Sequence, residues 1–555
     1  MTRSSSRKRA AAMHTHARLY EILDRDPALA LAEARAIRAS PDLSEINVKA
    51  IRAAIFVDAG SQLGDAAVVA EGVELLRTID TVTSPQVAYN LANGVAALSA
   101  LNGAQSLGQL DTAEERQEAK VLFQYAAEKC EDPSIKSSSL TNQANLLKDS
   151  YRWVEAYDRY AAALEHDPSN AIALSGIGSL LRWRMKGRTD KEGPLRRAAV
   201  RYMLRAHEHK DRAHKYAGPS GVARIEELMR EFRITATDKV PRAEARPASP
   251  FAEFVRRHRL ALCLEPESAG ASAGRWDHLA IDSVSESATA DWRVPTVFAS
   301  WNVLKSDFLT ARWLAYTASA GDLPVPDTGF YSDTLDYANY GMRSSTLVLA
   351  QRAACDVLDK IAVAASDYLQ LPGKQIYFGS RWHLCDTKNR WQLAKPLKWQ
   401  PKIEAEIKAG NSSLIALSEL AYDYSRGHLH PKKKARNAAT HGLVVLHDML
   451  IDGRSRVSTS IERHREVDFG RVVVESLQIA RAALMYFREV VAAREARMHQ
   501  RRSGIAIPMM VPSHHWVRGE DSGPLSRRPA SRNTRGNNRT RAKGHGEPSE
   551  PSKDR

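Results

Sequence analysis

The chain has 555 residues, 43% of them hydrophobic and 7% aromatic, which is too long for one ordinary core and too apolar for a disordered chain. Its formal net charge is +15, from 80 Lys and Arg against 65 Asp and Glu, a balance that suits an acidic partner such as nucleic acid. The four cysteines, Cys130, Cys263, Cys355 and Cys385, form no C-x-x-C pair, which argues against a disulfide scaffold and a cysteine zinc site. There is no run of 18 apolar residues and no apolar signal region at the N-terminus, so a cytoplasmic protein without a membrane span is expected.

The charge sits mainly at the ends. Residues 1–9 carry Arg3, Arg7, Lys8 and Arg9 and no acid, and residues 501–555 carry twelve cations against five acids. Residues 10–500 are left with only +4. The basic stretches 1–12 and 503–555 are expected to be disordered, the second because its Pro, Gly, Ser, Asn and Arg content cannot offset ordering entropy.

Residues 13–235 read as helical repeats. In SSSLTNQANLLKDSYRWVEAYDRYAAALEHDPSN, Ala144 is the small residue at a helix crossing. Ala156, Tyr160, Ala163 and Pro168 then give small, aromatic and small positions followed by a helix-ending proline. This resembles the tetratricopeptide pattern. Gly178 stands 34 residues after Ala144, and Ala119, Phe123 and Ala126 repeat the second-helix signature. The array is expected to be an α-solenoid whose groove takes a protein or peptide. Gly176-Ile177-Gly178 follows a helix and lacks a third glycine, so it is no dinucleotide loop.

A proline-containing stretch at 236–250 reads as a linker, and 251–502 as a second helical body. FAEFVRRHRLALCLEPES near its start is partly extended in character. Leu347, Ala350, Ala354, Val357, Ile361, Ala364 and Tyr368 form one apolar stripe, as do Val473, Leu477, Ala480, Leu484, Phe487 and Val491. Between them, SSLIALSELAYDYS predicts a shorter helix. PKKKARNAATHGLVVLHDML predicts a single helix with Ala435, Ala438, Gly442, Val445 and Met449 on its apolar side and Pro431 in its first turn. The expected fold is all-α, a repeat solenoid followed by a helical bundle.

The chemistry concentrates in Arg436-Asn437-Ala438-Ala439-Thr440-His441. An arginine, a polar follower and a histidine five positions on, within a helical bundle behind such repeats, resemble the HEPN superfamily of RNA-cleaving domains. WNVLKSDFLTARWLAY and NSSLIALSELAYDYS leading into HPKKKARNAATHG extend the likeness to the large bacterial branch of that family. The resemblance implies a metal-independent endoribonuclease without a cofactor, an RNA substrate, a homodimer with a shared cleft, and a toxin or antiviral setting. Chemically, cleavage by the RNA's own 2′-hydroxyl needs a base, an acid and positive charge at the phosphorane. Histidine suits either proton role at neutral pH, and arginine can hold two phosphate oxygens.

Positions five apart on a helix diverge by roughly 140°, so Arg436 and His441 would not reach one phosphate from a straight helix without help. Two protomers facing each other would supply two arginines and two histidines. Lys432, Lys433 and Lys434 are candidates for holding the RNA backbone. Asp359 and Arg352 are candidates for support, an acid there orienting His441 or Arg436; Asp359-Lys360 reads equally as a surface pair. His428, His430 and His447 lack the spacing of a metal site. A non-catalytic interaction scaffold, and an RNA-binding protein acting through its basic tails, are the competing readings.

Overall fold

The computed structural model describes residues 3–501 and 506–508, apart from 83, 104–106, 186–193, 236–248, 264–276, 278, 286–294, 322, 324, 374–375, 387–392 and 450–459. All of the expected linker except Ser249 and Pro250, and nearly all of the basic C-terminal stretch, lie outside the described residues.

Among the described residues the first region holds the α-helices α1 (Arg3–Leu23), α2 (Pro27–Ala36), α3 (Glu45–Leu63), α4 (Ala66–Arg77), α5 (Pro85–Gly103), α6 (Ala113–Lys129), α7 (Pro133–Asp149), α8 (Trp153–His166), α9 (Ala171–Met185), α10 (Pro194–Glu208) and α11 (Lys210–Phe232). Their ends follow local chemistry. Asp26, Ser44, Asp65 and Asp132 cap α2, α3, α4 and α7 by accepting from first-turn amides, and prolines open α2 and α7. Gly64 ends α3 at φ 70°, a left-handed conformation suited to glycine.

Neighbours pair as α1–α2, α3–α4, α5–α6, α7–α8 and α9–α10, and each first helix also touches the next first helix. The region is thus a repeat-like array of helix hairpins. Ala144, Ala156 and Ala163 are fully buried at the crossings. Gly176 belongs to the same packing, because a Cβ there would meet the Tyr160 ring at 2.5 Å. One expectation fails at the start of the chain. The basic segment 1–12 is helical from Arg3, since Ala10, Ala11 and Ala12 favour continuing α1 back through it.

The second region contains α12 (Pro250–Arg257), β1 (Ser283–Ser285), α13 (Thr296–Ala320), β2 (Ala338–Asn339), α14 (Met342–Leu369), α15 (Pro401–Lys408), α16 (Ser413–Arg426), α17 (His430–His441), β3 (Leu443–His447), β4 (Ile461–Arg465), α18 (Glu466–Arg501) and β5 (Ala506–Pro508). Helices α13, α14, α16 and α18 form the bundle. Both predicted stripes face its core: from Leu347 to Ala364 on α14 and from Val473 to Val491 on α18 the stripe residues are buried, with Tyr368 packed at the edge.

Two departures concern strands. Residues 431–450 are not one helix. The chain leaves α17 at Gly442 and enters β3, which pairs parallel with β4 and antiparallel with β2. Leu443-Val444-Val445-Leu446 is a β-favouring run, and sheet pairing overrides its helical spacing. The second departure is in the expected C-terminal tail, where Ala506–Pro508 pairs antiparallel with Ser283–Ser285.

Met1–Met509 form one compact unit. A single buried cluster runs from α7–α11 into α12–α18, so the repeats and the bundle share a core. The polar contacts between them come mainly from α6 and α8, with Arg184 at the end of α9 also pairing with Glu489 at 2.6 Å. Trp153 Nε1 donates to Glu489 at 3.2 Å, Val154 N donates to the Tyr486 hydroxyl at 3.2 Å, and Arg481 pairs with Asp158 at 3.4 Å.

One buried histidine makes this core acid-sensitive. His383 stacks on Trp399 at 4.9 Å with its Nε2 2.9 Å from Ser418 Oγ. Burial, reinforced by Arg426, lowers its pKa to about 3. The unfolded chain takes up this proton below about pH 6.5 and the folded chain does not. The contribution is therefore complete above pH 6.5 and is lost as pH falls towards 3. Chemical denaturation at pH 7.5 and 5.0 is expected to show a loss of about 2 kcal/mol beyond that of His383→Gln.

Candidate active site on the helix from His430 to His441

Pro431 lies in the first turn of α17, where its missing N–H costs nothing. The helix ends because Leu443 N turns to Ser460 O at 2.9 Å, starting the β3–β4 pairing. A Cβ at Gly442 would lie 3.2 Å from both Ala438 O and Ser460 O, a tight approach that glycine relieves. Only Ala435 of α17 is buried, so the helix lies on the surface of the bundle against α14.

Arg436 reaches across to α14. Its Nε and Nη2 donate to Asp356 Oδ1 at 3.2 and 3.0 Å, and Nη2 also donates to Asp359 Oδ2 at 3.2 Å. Nη1 donates to Asn437 Oδ1 at 3.4 Å. Burial opposes the charge of Arg436, but Asp356 and Asp359 outweigh it and raise its pKa. One edge of the guanidinium is thus committed to carboxylates, leaving the Nη1 side for a further anion.

Asp359 is more than a surface acid. It also accepts from Phe378 N at 3.1 Å, whereas Lys360 pairs with Asp307 at 2.6 Å. Asp356 was not singled out by sequence. The signal was available, since Asp356 and Asp359 are three apart on α14 and share a face. Arg352, one turn earlier on α14, is exposed and is not among the partners of Arg436.

The lysine run is not a uniform cationic strip. Lys432 Nζ pairs with Glu475 of α18 at 2.5 Å, and its carbonyl accepts from Gln351 at 3.0 Å. Lys433 is half-buried, and burial lowers its pKa against the pull of Asp359. Lys434 and Asn437 are exposed. Asp356, Asp359 and Glu475 therefore offset most of the charge from Lys432 to Arg436.

His441 is exposed as the last residue of α17. It lies about 7.5 Å along the axis from Arg436 and roughly 140° around it. Arg436 turns to α14 while the histidine stands at the helix-to-strand exit. The histidines nearby have other partners: exposed His430 Nδ1 meets Ser425 O at 2.8 Å, His447 Nδ1 meets Asp336 O at 3.0 Å, and His428 is buried beside Asp423. Among the described residues no group of three or more His, Cys, Asp or Glu is gathered as a metal site.

The Asp356–Arg436 pair is about a quarter exposed on the arginine and a third on the acid, so its contribution to stability is small. Asp356→Asn is expected to cost about 1 kcal/mol or less in a denaturant titration, because solvent screens the pair.

Residues 288–494, just over a third of the chain, match a family model described as LA2681-like HEPN. That span contains α13 to α17, most of α18, and both Arg436 and His441. No curated protein and no solved structure matches the chain. The bundle that carries the arginine–histidine motif is thus the part of this chain similar to a HEPN domain.

Proposed function

We propose that the protein is a metal-independent endoribonuclease of the HEPN type. The observation that carries the reading is an exposed histidine five residues after an ion-paired arginine, on a surface helix inside the HEPN-matching segment. The 2′-oxygen attacks phosphorus as its proton passes to a base, and the bond to the 5′-oxygen breaks as an acid protonates that oxygen. His441 supplies one of these proton transfers, and Arg436 stabilises the added charge on the phosphorane through its Nη1 edge. Asn437 and Lys434, both exposed, border the same helix and hold the RNA backbone.

A homodimer through the bundle would place a second Arg436 and His441 opposite the first and supply the other proton-transfer group. The hairpins are proposed to be tetratricopeptide-like, with their first-helix face recognising a protein or peptide trigger. A cytoplasmic toxin or antiviral role suits this combination.

One observation favours a second reading, a non-catalytic scaffold. Arg436 closed on Asp356 and Asp359 is also a good anchor between α17 and α14. Purified protein incubated with total RNA in EDTA separates the two. The ribonuclease reading expects cleavage leaving 2′,3′-cyclic phosphate ends, reduced about 10²- to 10⁴-fold in His441→Ala. It also expects a dimer in solution and activity that survives deletion of 510–555. Products ending in 3′-hydroxyl, or a fully active monomer, would overturn it.

A further inference from the structure

The corner that launches α17 is built on charge supplied by the helical repeats. Asp423, in the last turn of α16, has no solvent exposure. Its Oδ2 accepts from Lys120 Nζ of α6 at 2.6 Å and from Arg152 Nη1 just before α8. One turn earlier, Glu419 pairs with Lys120 at 3.1 Å, Arg116 at 3.2 Å and Arg152 at 3.4 Å. Lys120 and Arg152 are 1% and 0% exposed. Arg152 is held further by Glu155 at 2.6 Å. Three cations from the repeats thus close on two acids of α16 and one of their own.

The chain between Asp423 and α17 is short and tightly packed. Gly427 N donates to Asp423 O at 2.8 Å, and His430 N donates to Gly427 O at 2.9 Å. A Cβ on Gly427 would meet the Asp423 Cα and Oδ1, each at 2.8 Å. His428 is buried with its Nδ1 3.5 Å from Asp423 Oδ2. By contrast, α17 itself buries only Ala435. On its surface α17 is held by the partly exposed Lys432–Glu475 and Arg436–Asp356 pairs, so its starting corner is the fully buried part of what places it.

We propose that Asp423, clamped by Lys120 and Arg152, is a positioning residue for α17, so that the repeats directly set the placement of Arg436 and His441. This rests on the ribonuclease reading only for its effect on catalysis. A trigger that shifts α6 or the α7–α8 turn would act on the site through this clamp, without reaching it.

The test uses the full chain with Asp423→Asn and with the double variant Lys120→Met/Asp423→Asn. The double variant removes one charge of each sign, so the remaining cluster stays balanced and the fold is kept. Amide exchange over 427–441 is expected to rise about tenfold or more in both, while α13 and α14 exchange as in wild type. Cleavage is expected to lose about tenfold or more in kcat with KM nearly unchanged. The double variant should recover melting temperature but neither exchange protection nor kcat. A folded double variant with wild-type exchange over 427–441, or with restored kcat, overturns the proposal. If the wild type cleaves no RNA, the ribonuclease reading fails separately and the exchange measurement alone decides.

Discussion

A carboxylate removed from water must be met by charge or it will not stay ionised, and Asp423 is met by two cations that belong to another part of the sequence. This requirement organises the molecule. It fixes the end of α16 against α6 and the turn before α8. It brings α6 and α8, second helices of their hairpins, onto the bundle, where Arg184 at the end of α9 joins them. Glu489 and Asp158 repeat the arrangement farther along, joining Trp153 and Arg184 on one side and Arg259 and Arg481 on the other. Apolar burial supplies the driving force for such an interface. The charges decide its register, because a slip of one helical turn would strand several of them.

Much of this architecture was legible in the sequence, for reasons particular residues make plain. Ala144, Ala156 and Ala163 declare hairpin crossings because small residues allow the backbones to approach, and Tyr160 marks the aromatic position that packs over Gly176. The stripes on α14 and α18 are long enough for a helical period to be unmistakable. The segment after His441 was misread for the opposite reason. Gly442, Val445 and Met449 fall at helical spacing by coincidence, and the partner strand that captures Leu443–His447 lies thirteen residues farther along the chain. The basic segment before Ala10 hides its helix because its charge masks the pull of the helix-favouring alanines that follow it.

The site was legible in part. Arg436 and His441 stand out in the sequence because arginine and histidine suit phosphate and proton-transfer chemistry, and the family match covers both. The second acid, Asp356, becomes visible only once α14 and α17 are packed together. The same packing changes the meaning of the lysines: Glu475, more than thirty residues away in sequence, takes up Lys432. A run of like charges in sequence gives no information about the counter-charges that folding delivers to it. Asp423, Lys120 and Arg152 are equally silent one by one, since each is an ordinary helix-surface residue until the two regions meet.

The core shared by the hairpins and the bundle bears on how this protein can be divided or inherited. The stretch at 236–250 looks like a place to cut, yet the sequences on either side each keep half of a buried ion cluster and half of an apolar interface. A fragment ending there would expose Lys120 and Arg152 on one piece and Asp423 on the other. Recombination that exchanged the repeats for those of another lineage would have to carry matching cations at the same three places. The outer side of the hairpins is thus freer to diverge than the inner side, which is held to the bundle by charge.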